Sequence, residues 1–410
     1  MNAGGLISVE EALARVLASV TAPLLGEQVA LENALGRTLA EDLRALRTQP
    51  PFANSAMDGY ALAAADTAPV PARLKVIGES AAGRAFEGRI KSGEAIRIFT
   101  GAPMPDGADA VVIQEHAIRD GDELVVNARE VPGRNVRRAG IDFREGEPLL
   151  AAGRRLTPRD VALAAAANHA ALSVRRRPRV AILATGDELV RPGAARGPAQ
   201  IVASNNYAVA GVVATVGGEA VDLGIAADDK EALAQSFVRA MEMKADVLVT
   251  LGGASVGDYD LVQQALIESG LELGFWRIAM RPGKPLMQGR LGEMKVLGLP
   301  GNPVSSVVCA ILFLRPLLLA LLGDPNAAAD MSEPARLGAD VGENDLRQDY
   351  LRATLAEEDG AWRATPVESQ DSSLVKLLAK SQCLIIRKPH APAARRGEEC
   401  RIIKLDALGL

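Results

Sequence analysis

The sequence predicts a multidomain α/β protein whose centre is a doubly wound, mostly parallel sheet domain. Three apolar, β-branched runs each lead into a glycine-rich turn, which is typical of buried parallel strands. These turns occupy residues 184–189, 250–260 and 299–306. The chain has 410 residues, more than one hydrophobic core usually organises, so flanking domains are expected beside the sheet.

Composition narrows the class of protein and its location. A net charge of −5 disfavours a general nucleic-acid binder. The three cysteines lack metal-binding spacing and the three histidines are scattered, which indicates a reducing cytoplasm without a disulfide frame or a zinc site. No signal peptide is expected. The apolar stretch 307–322 is broken by Arg315 and Pro316, which predicts two kinked helical segments rather than a membrane span.

The first domain is expected to be a linker and dimerisation domain formed by residues 1–45 together with 140–177. Ser8 and Glu11 form a capping-box pattern ahead of apolar residues at helical spacing, so an amphipathic opening helix is expected. A second helix is expected at residues 157–169, where a proline occupies the first turn. The opening helix would serve in packing or in dimer formation.

Two further regions carry short β runs separated by turn residues. Residues 46–139 predict an inserted β-rich domain, in which Asp120 and Gly121 mark a hairpin. Its runs are 74–77, 95–99, 110–114 and 123–126. Residues 326–410 predict a small C-terminal β-barrel. The runs of the barrel are 350–355, 362–366, 383–387 and 401–405.

Residues 178–325 alternate between apolar runs and helical patterns, which predicts the parallel sheet domain. The expected strands are 180–183, 221–225, 246–251 and 296–299. Expected helices start near Ser204, Asp229, Asp260 and Pro303. In the helix from Asp229 to Lys244, the residues Leu233, Phe237 and Met241 are expected on one buried face.

The glycine-rich turns are expected to form the ligand site, because ligands of open α/β sheets bind at the carboxyl ends of the strands. Turns rich in glycine and serine expose backbone N–H groups that suit phosphate. A serine at the start of the helix after Pro303 could cap that helix, bind an anion, or do both. The candidate substrate contacts in these turns are Gly252, Gly253, Ser255, Gly257, Pro300, Gly301, Asn302 and Ser305.

Acidic residues beside the same turns predict a divalent cation that bridges to the phosphate. Capping of the helix that follows Asp228 and Asp229 is the alternative role for that pair. The candidate metal ligands are Asp187, Glu188, Asp228 and Asp258.

Two other segments carry candidate binding residues. Arg277, Arg281 and Lys284 lie in a proline-stiffened loop, which favours an anion clamp over a solvated turn. Asp58 and Thr100 lie in tight turns, where each could contact a ligand or simply cap backbone N–H groups. The turns contain neither GxxxxGK[ST] nor a helix-opening GxGxxG, which disfavours a nucleotide hydrolase and a dinucleotide oxidoreductase.

Over nearly its whole length the chain resembles the molybdopterin molybdenumtransferases, the bacterial molybdenum-insertion proteins that are similar to the E domain of gephyrin. Six motifs in the family's order carry the resemblance. They are PFANSAMDGY (51–60), FTGAP (99–103), ATGDEL (184–189), SVGDYD (255–260), RPGKP (281–285) and LPGNP (299–303).

The resemblance implies that adenylylated molybdopterin and molybdate react to give molybdenum cofactor and AMP, with Mg²⁺ as the cation. It also implies an elongated homodimer with an active cleft between the subunits. The partners it implies are a molybdopterin adenylyltransferase and acceptor molybdoenzymes, with no nucleic acid and no membrane.

The resemblance further implies roles for individual residues. Asp58 and Thr100 match residues that the family uses at the insertion site, and Arg352 and Ser372 match its C-terminal contributions. The implied catalytic set is Asp58, Thr100, Glu188, Asp228 and Asp258. Two alternatives stay open: a molybdopterin adenylyltransferase, which the flanking domains disfavour, and a non-catalytic pterin-binding scaffold, which the absence of a long linker disfavours.

Overall fold

The chain opens with a helix whose apolar face is buried. The computed structural model describes residues 6–252, 261–358 and 360–409. Helix α1 (Val9–Ala18) is capped by Ser8, whose Oγ accepts from the Glu11 N–H at 3.1 Å. The Glu11 carboxylate pairs with Arg15 at 2.5 Å instead of reaching back, so only half of the expected capping box forms. The buried face of α1 packs into the main core of the sheet domain. Strands β1 (Gly26–Ala30) and β2 (Leu43–Arg44) follow.

The inserted region is a mixed β-sheet, as predicted. Its strands are β3 (Asn54–Ser55), β4 (Gly59–Leu62), β5 (Ala72–Ser80), β6 (Glu94–Ile98), β7 (Ala110–Ile113), β8 (Ala117–Asp120), β9 (Glu123–Val126) and β10 (Val136–Arg137). The strand order is β7-β4-β6-β5-β9-β8, and β3 pairs with β10 beside it. The antiparallel pair β8–β9 confirms the hairpin expected at Asp120 and Gly121.

The chain then returns to the N-terminal region. Strand β11 (Pro148–Leu150), helix α2 (Pro158–Ala166) and strand β12 (Ala171–Arg175) complete it. Strand β12 pairs with β1, and β11 pairs with β2, so residues on either side of the insertion form one unit. Helix α2 has the full reciprocal capping box between Thr157 and Asp160.

The sheet domain places helices on both faces of a mostly parallel sheet. Its elements are β13 (Arg179–Thr185), β14 (Leu189–Val190), β15 (Ile201–Val202), α3 (Asn205–Thr215), β16 (Glu219–Ala226), α4 (Lys230–Glu242), β17 (Val247–Leu251), α5 (Leu261–Glu268), β18 (Glu272–Trp276), β19 (Met280–Arg281), β20 (Met287–Leu291), β21 (Met294–Leu299), α6 (Pro303–Cys309) and α7 (Arg315–Leu321). The strand order is β16-β13-β17-β21-β20-β18. Strands β16, β13, β17 and β21 are parallel, which confirms the doubly wound, mostly parallel prediction.

Alternate residues of β13 lie on opposite faces of the sheet and belong to two different hydrophobic clusters. Val180 and Ile182 pack with α1, α3, α6 and α7, whereas Ala181 and Leu183 pack with α4 and α5. This alternation follows from the period of two in a strand, and burial on both faces explains the continuous apolar run. The antiparallel strands β18 and β20 at one edge were not predicted.

One expectation for the helices is corrected. In α4, Leu233 and Phe237 are buried, but Met241 is 42% exposed and Ala240 takes the inward position. The two helical segments predicted for the stretch 307–322 correspond to α6 and α7, which are joined by a π-helical turn (Ala310–Leu314). A π turn accommodates the N–H that proline lacks without ending the helix.

Helix α6, the π-helical turn and α7 together form one continuous helix that is buried in the core. Among the described residues, Pro303–Leu321 is the one helix long and apolar enough to cross a membrane, and 83% of its most apolar window is buried inside the fold. Its side chains belong to the largest hydrophobic cluster, between α1, α3 and the sheet.

The C-terminal region closes into the small β-barrel that was predicted. Its elements are β22 (Glu333–Leu337), β23 (Gln348–Glu358), β24 (Ala361–Pro366), α8 (Val375–Lys380), β25 (Cys383–Arg387) and β26 (Glu399–Lys404). The order β23-β24-β22-β26-β25 is closed by pairing of β25 with β23. Strand β19 of the sheet domain pairs with β23, which attaches the barrel to that domain. Short 3-10 turns lie at Leu31–Asn33, Ala64–Thr67, Gln114–His116 and Asp406–Leu408. The domain boundaries given above stay predictions.

We expect Phe237→Ala to lower the free energy of unfolding of the sheet domain by about 3–5 kcal/mol, because a fully buried ring leaves a cavity. Met241→Ala on the same helix should change it by less than about 0.5 kcal/mol. Urea unfolding followed by Trp276 fluorescence in a Trp362→Phe background measures this, since Trp276 packs against the same cluster. Equal losses for the two variants would contradict the assigned helix face.

Candidate functional site

A cleft of about 660 Å³ opens at the carboxyl ends of the parallel strands. In the register, Ala184 lies beside Leu251 and Leu251 beside Leu299, so three strands end at the same level. The turns that follow therefore meet at one edge of the sheet. The cleft walls include Glu188, Asp228, Gly252, Pro300, Gly301 and Asn302 from the predicted site residues. Their binding roles stay predictions.

Close packing of the turns explains their glycines. Gly252 has a φ of +103°, and a Cβ there would lie 2.9 Å from the Thr185 carbonyl oxygen. A Cβ at Gly301 would lie 3.5 Å from the Gly252 Cα. A side chain at Gly252 would thus be strained and crowded. The predicted contacts Gly253, Ser255, Gly257 and Asp258 lie outside the described residues.

Three carboxylates cluster at one end of the cleft. Burial raises the pKa of Asp228, and the nearby charges of Asp187 and Glu188 raise it further. The Asp228 N–H donates to Asp187 Oδ1 at 3.2 Å. Helix capping falls to Asp229 instead, whose carboxylate accepts from the Ala232 N–H at 2.9 Å, so Asp228 is not used as the cap.

The carboxylates fit a cation only in part. In the described part of the chain, no group of three or more His, Cys, Asp or Glu side chains is arranged as a metal site. The repulsion at Asp228 would nevertheless be relieved by a divalent cation. Mg²⁺ commonly takes one or two carboxylates and completes its shell with water and substrate phosphates, so an incomplete set is consistent with Mg²⁺.

The cationic segment lies between the sheet and the barrel. The Arg277 guanidinium stacks 3.8 Å from the Trp276 ring centre, and Arg277 has a positive φ of 76°. Arg281 donates to Asp349 and, at 3.2 Å, to Asn344 Oδ1, both of the barrel. Lys284 is partly exposed, and its neighbour Pro285 lines the cleft. The cleft lining does not include the three cations themselves, among the residues the structure describes.

The positive charge of Arg281 is therefore partly neutralised by carboxylates of the same chain. Asp349 is almost fully buried, and burial raises its pKa although the Arg281 guanidinium acts in the opposite direction. Asp345 lies 3.5 Å from Arg281 and pairs with Arg347 at 2.7 Å, and these arginines hold the pKa of Asp345 at about 2. The segment is thus rigidly held, which a clamp requires.

A loop of the barrel reaches the cleft and is held by Arg352. The Arg352 side chain is 1% exposed and donates to the carbonyl oxygens of Ser369 at 3.1 Å and Asp371 at 2.9 Å. Ser372, at the end of this loop, accepts from Asn302 Nδ2 at 3.1 Å and from the Val304 N–H at 3.0 Å. Arg352 thus positions Ser372 against the start of α6 in this structure.

Asp58 and Thr100 form a preorganised pair in the inserted domain. Asp58 Oδ1 accepts from the Thr100 N–H and from its hydroxyl, each at 2.8 Å. The backbone bond, then the hydroxyl bond, lowers the pKa of Asp58, so the exposed carboxylate is ionised at neutral pH. The pair does not line the cleft of its own chain, among the described residues.

Sequence reasoning missed three polar residues of the cleft wall: Thr185, Asn205 and Asn206. Thr185 Oγ1 and Asn206 Oδ1 are buried and have no hydrogen-bond partner among the described residues. Each unsatisfied buried group costs about 1–3 kcal/mol, so such atoms mark positions where a ligand can bind. The signal was present as consecutive asparagines at the start of a helix, but only Ser204 was considered there.

Models of known families match consecutive parts of the chain. Residues 7–168 match the MoeA N-terminal region (domain I and II), and residues 181–320 match a probable molybdopterin binding domain. Residues 334–405 match the MoeA C-terminal region (domain IV).

Individual proteins match over nearly the full length. The chain is 33% identical to a molybdopterin molybdenumtransferase of Haemophilus influenzae, over 97% of this chain and 98% of that one. It is 35% identical to the Bacillus subtilis molybdopterin molybdenumtransferase, over 91% and 87% of the two chains. A solved structure, a molybdopterin biosynthesis MoeA protein of Pyrococcus horikoshii, is 34% identical with a TM-score of 0.85, over 98% of this chain and 99% of that chain.

We expect Arg352→Met to loosen the Ser372 loop, because it removes charge-assisted bonds worth about 1.5–3 kcal/mol each. Hydrogen exchange at residues 369–374 and at the Val304 amide should accelerate at least about tenfold. Arg336→Met is the control, since its guanidinium makes one exposed contact, to the Gly397 carbonyl at 3.3 Å. Unchanged protection of the loop in Arg352→Met would contradict the positioning role.

Proposed function

Because the chain belongs to the MoeA family of molybdopterin molybdenumtransferases, we propose that it inserts molybdenum from molybdate into adenylylated molybdopterin with Mg²⁺-dependent release of AMP. The class, a transferase of molybdenum cofactor biosynthesis, follows from relatives aligned along nearly the whole chain. The observation that carries the finer proposal is the polar cleft at the strand ends, where backbone turns, carboxylates and a barrel loop meet.

The cleft and the neighbouring cationic segment together would supply groups for each part of such a substrate. The Gly301 turn and the positive end of the dipole of the Pro303–Leu321 helix would favour phosphate oxygens. The Arg277, Arg281 and Lys284 segment supplies positive charge for molybdate, a tetrahedral dianion. Ser372 would add a hydroxyl to the same oxyanion site. Molybdenum would be held by the substrate's own sulfurs, so no protein thiolate is needed.

The carboxylates at Asp187, Glu188 and Asp228 would hold Mg²⁺, with Asp258 as a further candidate ligand or ligand-orienting group. The ion would offset the charge that develops as the phosphoanhydride breaks and AMP leaves. Support comes from the raised pKa of Asp228, which is caused first by burial and then by the nearby negative charges of Asp187 and Glu188. Affinity for Mg²⁺ should therefore fall as the pH decreases, because Asp228 takes up a proton at a higher pH than an ordinary aspartate does.

Asp58 and Thr100 would complete the site from a second subunit of a homodimer. An ionised Asp58 held by Thr100 can accept a hydrogen bond from a reacting group but cannot donate a proton. Exposed apolar side chains near Asp58 and beside the cleft support this contact between subunits. Phe52 and Met57 flank Asp58 with 45% and 44% exposure, and Tyr207 beside the cleft is 53% exposed.

The cytoplasm is the proposed location, and a molybdopterin adenylyltransferase and acceptor molybdoenzymes are the proposed partners. Among the described residues all three cysteines are free thiols, and burial raises the pKa of Cys400 to about 11. The alternatives, adenylyl transfer or a pterin-binding scaffold, are not favoured by relatives that are named as molybdenumtransferases.

The proposal is tested by AMP release. The chain is incubated with adenylylated molybdopterin and Mg²⁺, with and without molybdate. We expect AMP release that depends on molybdate, together with a product that reactivates a molybdenum-free apoenzyme. Substrate binding without molybdate-dependent AMP release would overturn the catalytic proposal and would favour a non-catalytic pterin-binding scaffold.

A mixing experiment tests the shared cleft. Asp58→Ala and Asp228→Asn should each be inactive alone, since each removes one side of the site. Random exchange of subunits would give heterodimers with one intact site, so an equal mixture should recover about a quarter of wild-type activity. No recovery, in a mixture that native mass spectrometry shows to have exchanged subunits, would contradict a site to which Asp58 and Asp228 come from different subunits. Sedimentation as a monomer would exclude the dimer altogether.

A further inference from the structure

The Arg97 side chain lies beside two aromatic rings of the inserted domain. Its guanidinium carbon is 5.1 Å from the centre of the Tyr60 ring and 4.8 Å from the centre of the Phe99 ring. Tyr60 is paired directly with Arg97 between β4 and β6, so the sheet itself places one of the two rings. A guanidinium that contacts two rings within about 6 Å of their centres is restrained in position and orientation.

The N–H groups of Arg97 are used on the backbone next to Asp58. Nη1 donates to the Gly59 carbonyl at 3.0 Å, and Nη2 donates to Gln114 Oε1 at 2.8 Å. The Gln114 N–H in turn donates to the Asp58 carbonyl at 3.2 Å. The carbonyl groups of Asp58 and Gly59 are therefore both tied to one arginine, the first through Gln114 and the second directly.

The strand that begins at Gly59 is held by both of its neighbours. A Cβ at Gly59 would lie 1.9 Å from the Val112 carbonyl oxygen, so the backbone of β4 lies close against β7. The Arg97 bond to the Gly59 carbonyl comes from β6, the strand on the opposite side of β4. Asp58, which immediately precedes β4, thus stands at the end of a strand that is fixed from both sides.

Arg97 contacts both segments that form the Asp58–Thr100 pair. It holds the segment of Asp58 through Gly59, and it holds the segment of Thr100 through the ring of the preceding residue, Phe99. The two bonds from Thr100 lower the pKa of Asp58 most, and the positive charge of Arg97 lowers it further. The same side chain therefore acts on the position of the carboxylate and on its charge.

We propose that Arg97 is the positioning residue of the Asp58–Thr100 pair and holds the Asp58 carboxylate where the reacting group meets it. The inference rests on the proposed function, in which Asp58 acts at the shared site. Arg97 would not touch the substrate. Its loss would displace the carboxylate, and a misplacement of about 1 Å can slow a reaction about a hundredfold. Substrate binding, which other residues would provide, should change little.

The variant Arg97→Met tests this role, because methionine keeps an apolar stem against the rings but donates no hydrogen bond. In the molybdate-dependent AMP-release assay, we expect kcat to fall about ten- to a hundredfold, with KM for adenylylated molybdopterin within about twofold of the wild type. Arg97→Lys keeps the charge without the planar fork, so its kcat should lie between those of Arg97→Met and the wild type.

Arg73→Met is the matched control from the same sheet. Arg73 pairs with Glu123, and its side chain is 69% exposed. An exposed ion pair of this kind contributes little to stability, so kcat and KM should both equal those of the wild type.

Hydrogen exchange of the Thr100 amide reports on the pair without turnover, because this N–H is bonded to Asp58 Oδ1. Arg97→Met should accelerate its exchange at least about fivefold, while the amides of the β8–β9 hairpin keep their protection. Arg73→Met should leave the Thr100 amide unchanged.

Wild-type kcat in Arg97→Met, or wild-type protection of the Thr100 amide, would overturn the inference. Equal acceleration throughout the inserted sheet would also overturn it, since that result indicates a general loss of stability, and so would a loss confined to KM. A wild-type chain without molybdate-dependent AMP release would reject the proposed function, and the exchange measurement would still decide whether Arg97 holds the pair.

Discussion

The common end level of the parallel strands β13, β17 and β21 is the constraint on which the cleft depends. Their register brings Ala184, Leu251 and Leu299 side by side, so the turns that follow meet at one edge of the sheet. Crowding there requires Gly252, where a Cβ would come 2.9 Å from a backbone oxygen. The apolar cores on both faces hold the strands in this register, because slippage would expose buried side chains.

The barrel contributes to the cleft because two arginines attach it there. Arg352 is buried among the carbonyl groups of the loop that carries Ser372, and Asn302 of the sheet domain donates to that serine. Arg281 pairs with Asp349 at the place where β19 joins β23. Arg352 is 1% exposed, and a buried cation bound in this way fixes geometry more than it adds stability, since desolvation offsets much of its attraction.

Polar groups at the cleft remain partly unsatisfied, as do several buried polar atoms elsewhere in the described part of the chain. Burial, together with the charges of Asp187 and Glu188, raises the pKa of Asp228, and Thr185 and Asn206 have oxygens without partners among the described residues. A folded chain tolerates such costs mainly where a ligand later offsets them. The Asp58–Thr100 pair is different, because its hydrogen bonds are complete and the carboxylate is ionised in advance.

The sequence by itself determined the parallel strands and main helices of the sheet domain, the β-rich insertion, the barrel and the glycine turns, because each depends on local periodicity and turn chemistry. It placed Phe237 inward but also Met241, since the helical period alone does not tell where a neighbouring helix ends its contact. Tertiary structure alone decided that Asn205 donates to Gly301, that Asn206 Oδ1 has no partner among the described residues, and that Arg352 supports a loop. Such assignments depend on contacts between residues far apart in the chain, and no local pattern encodes which side chain finds its partner.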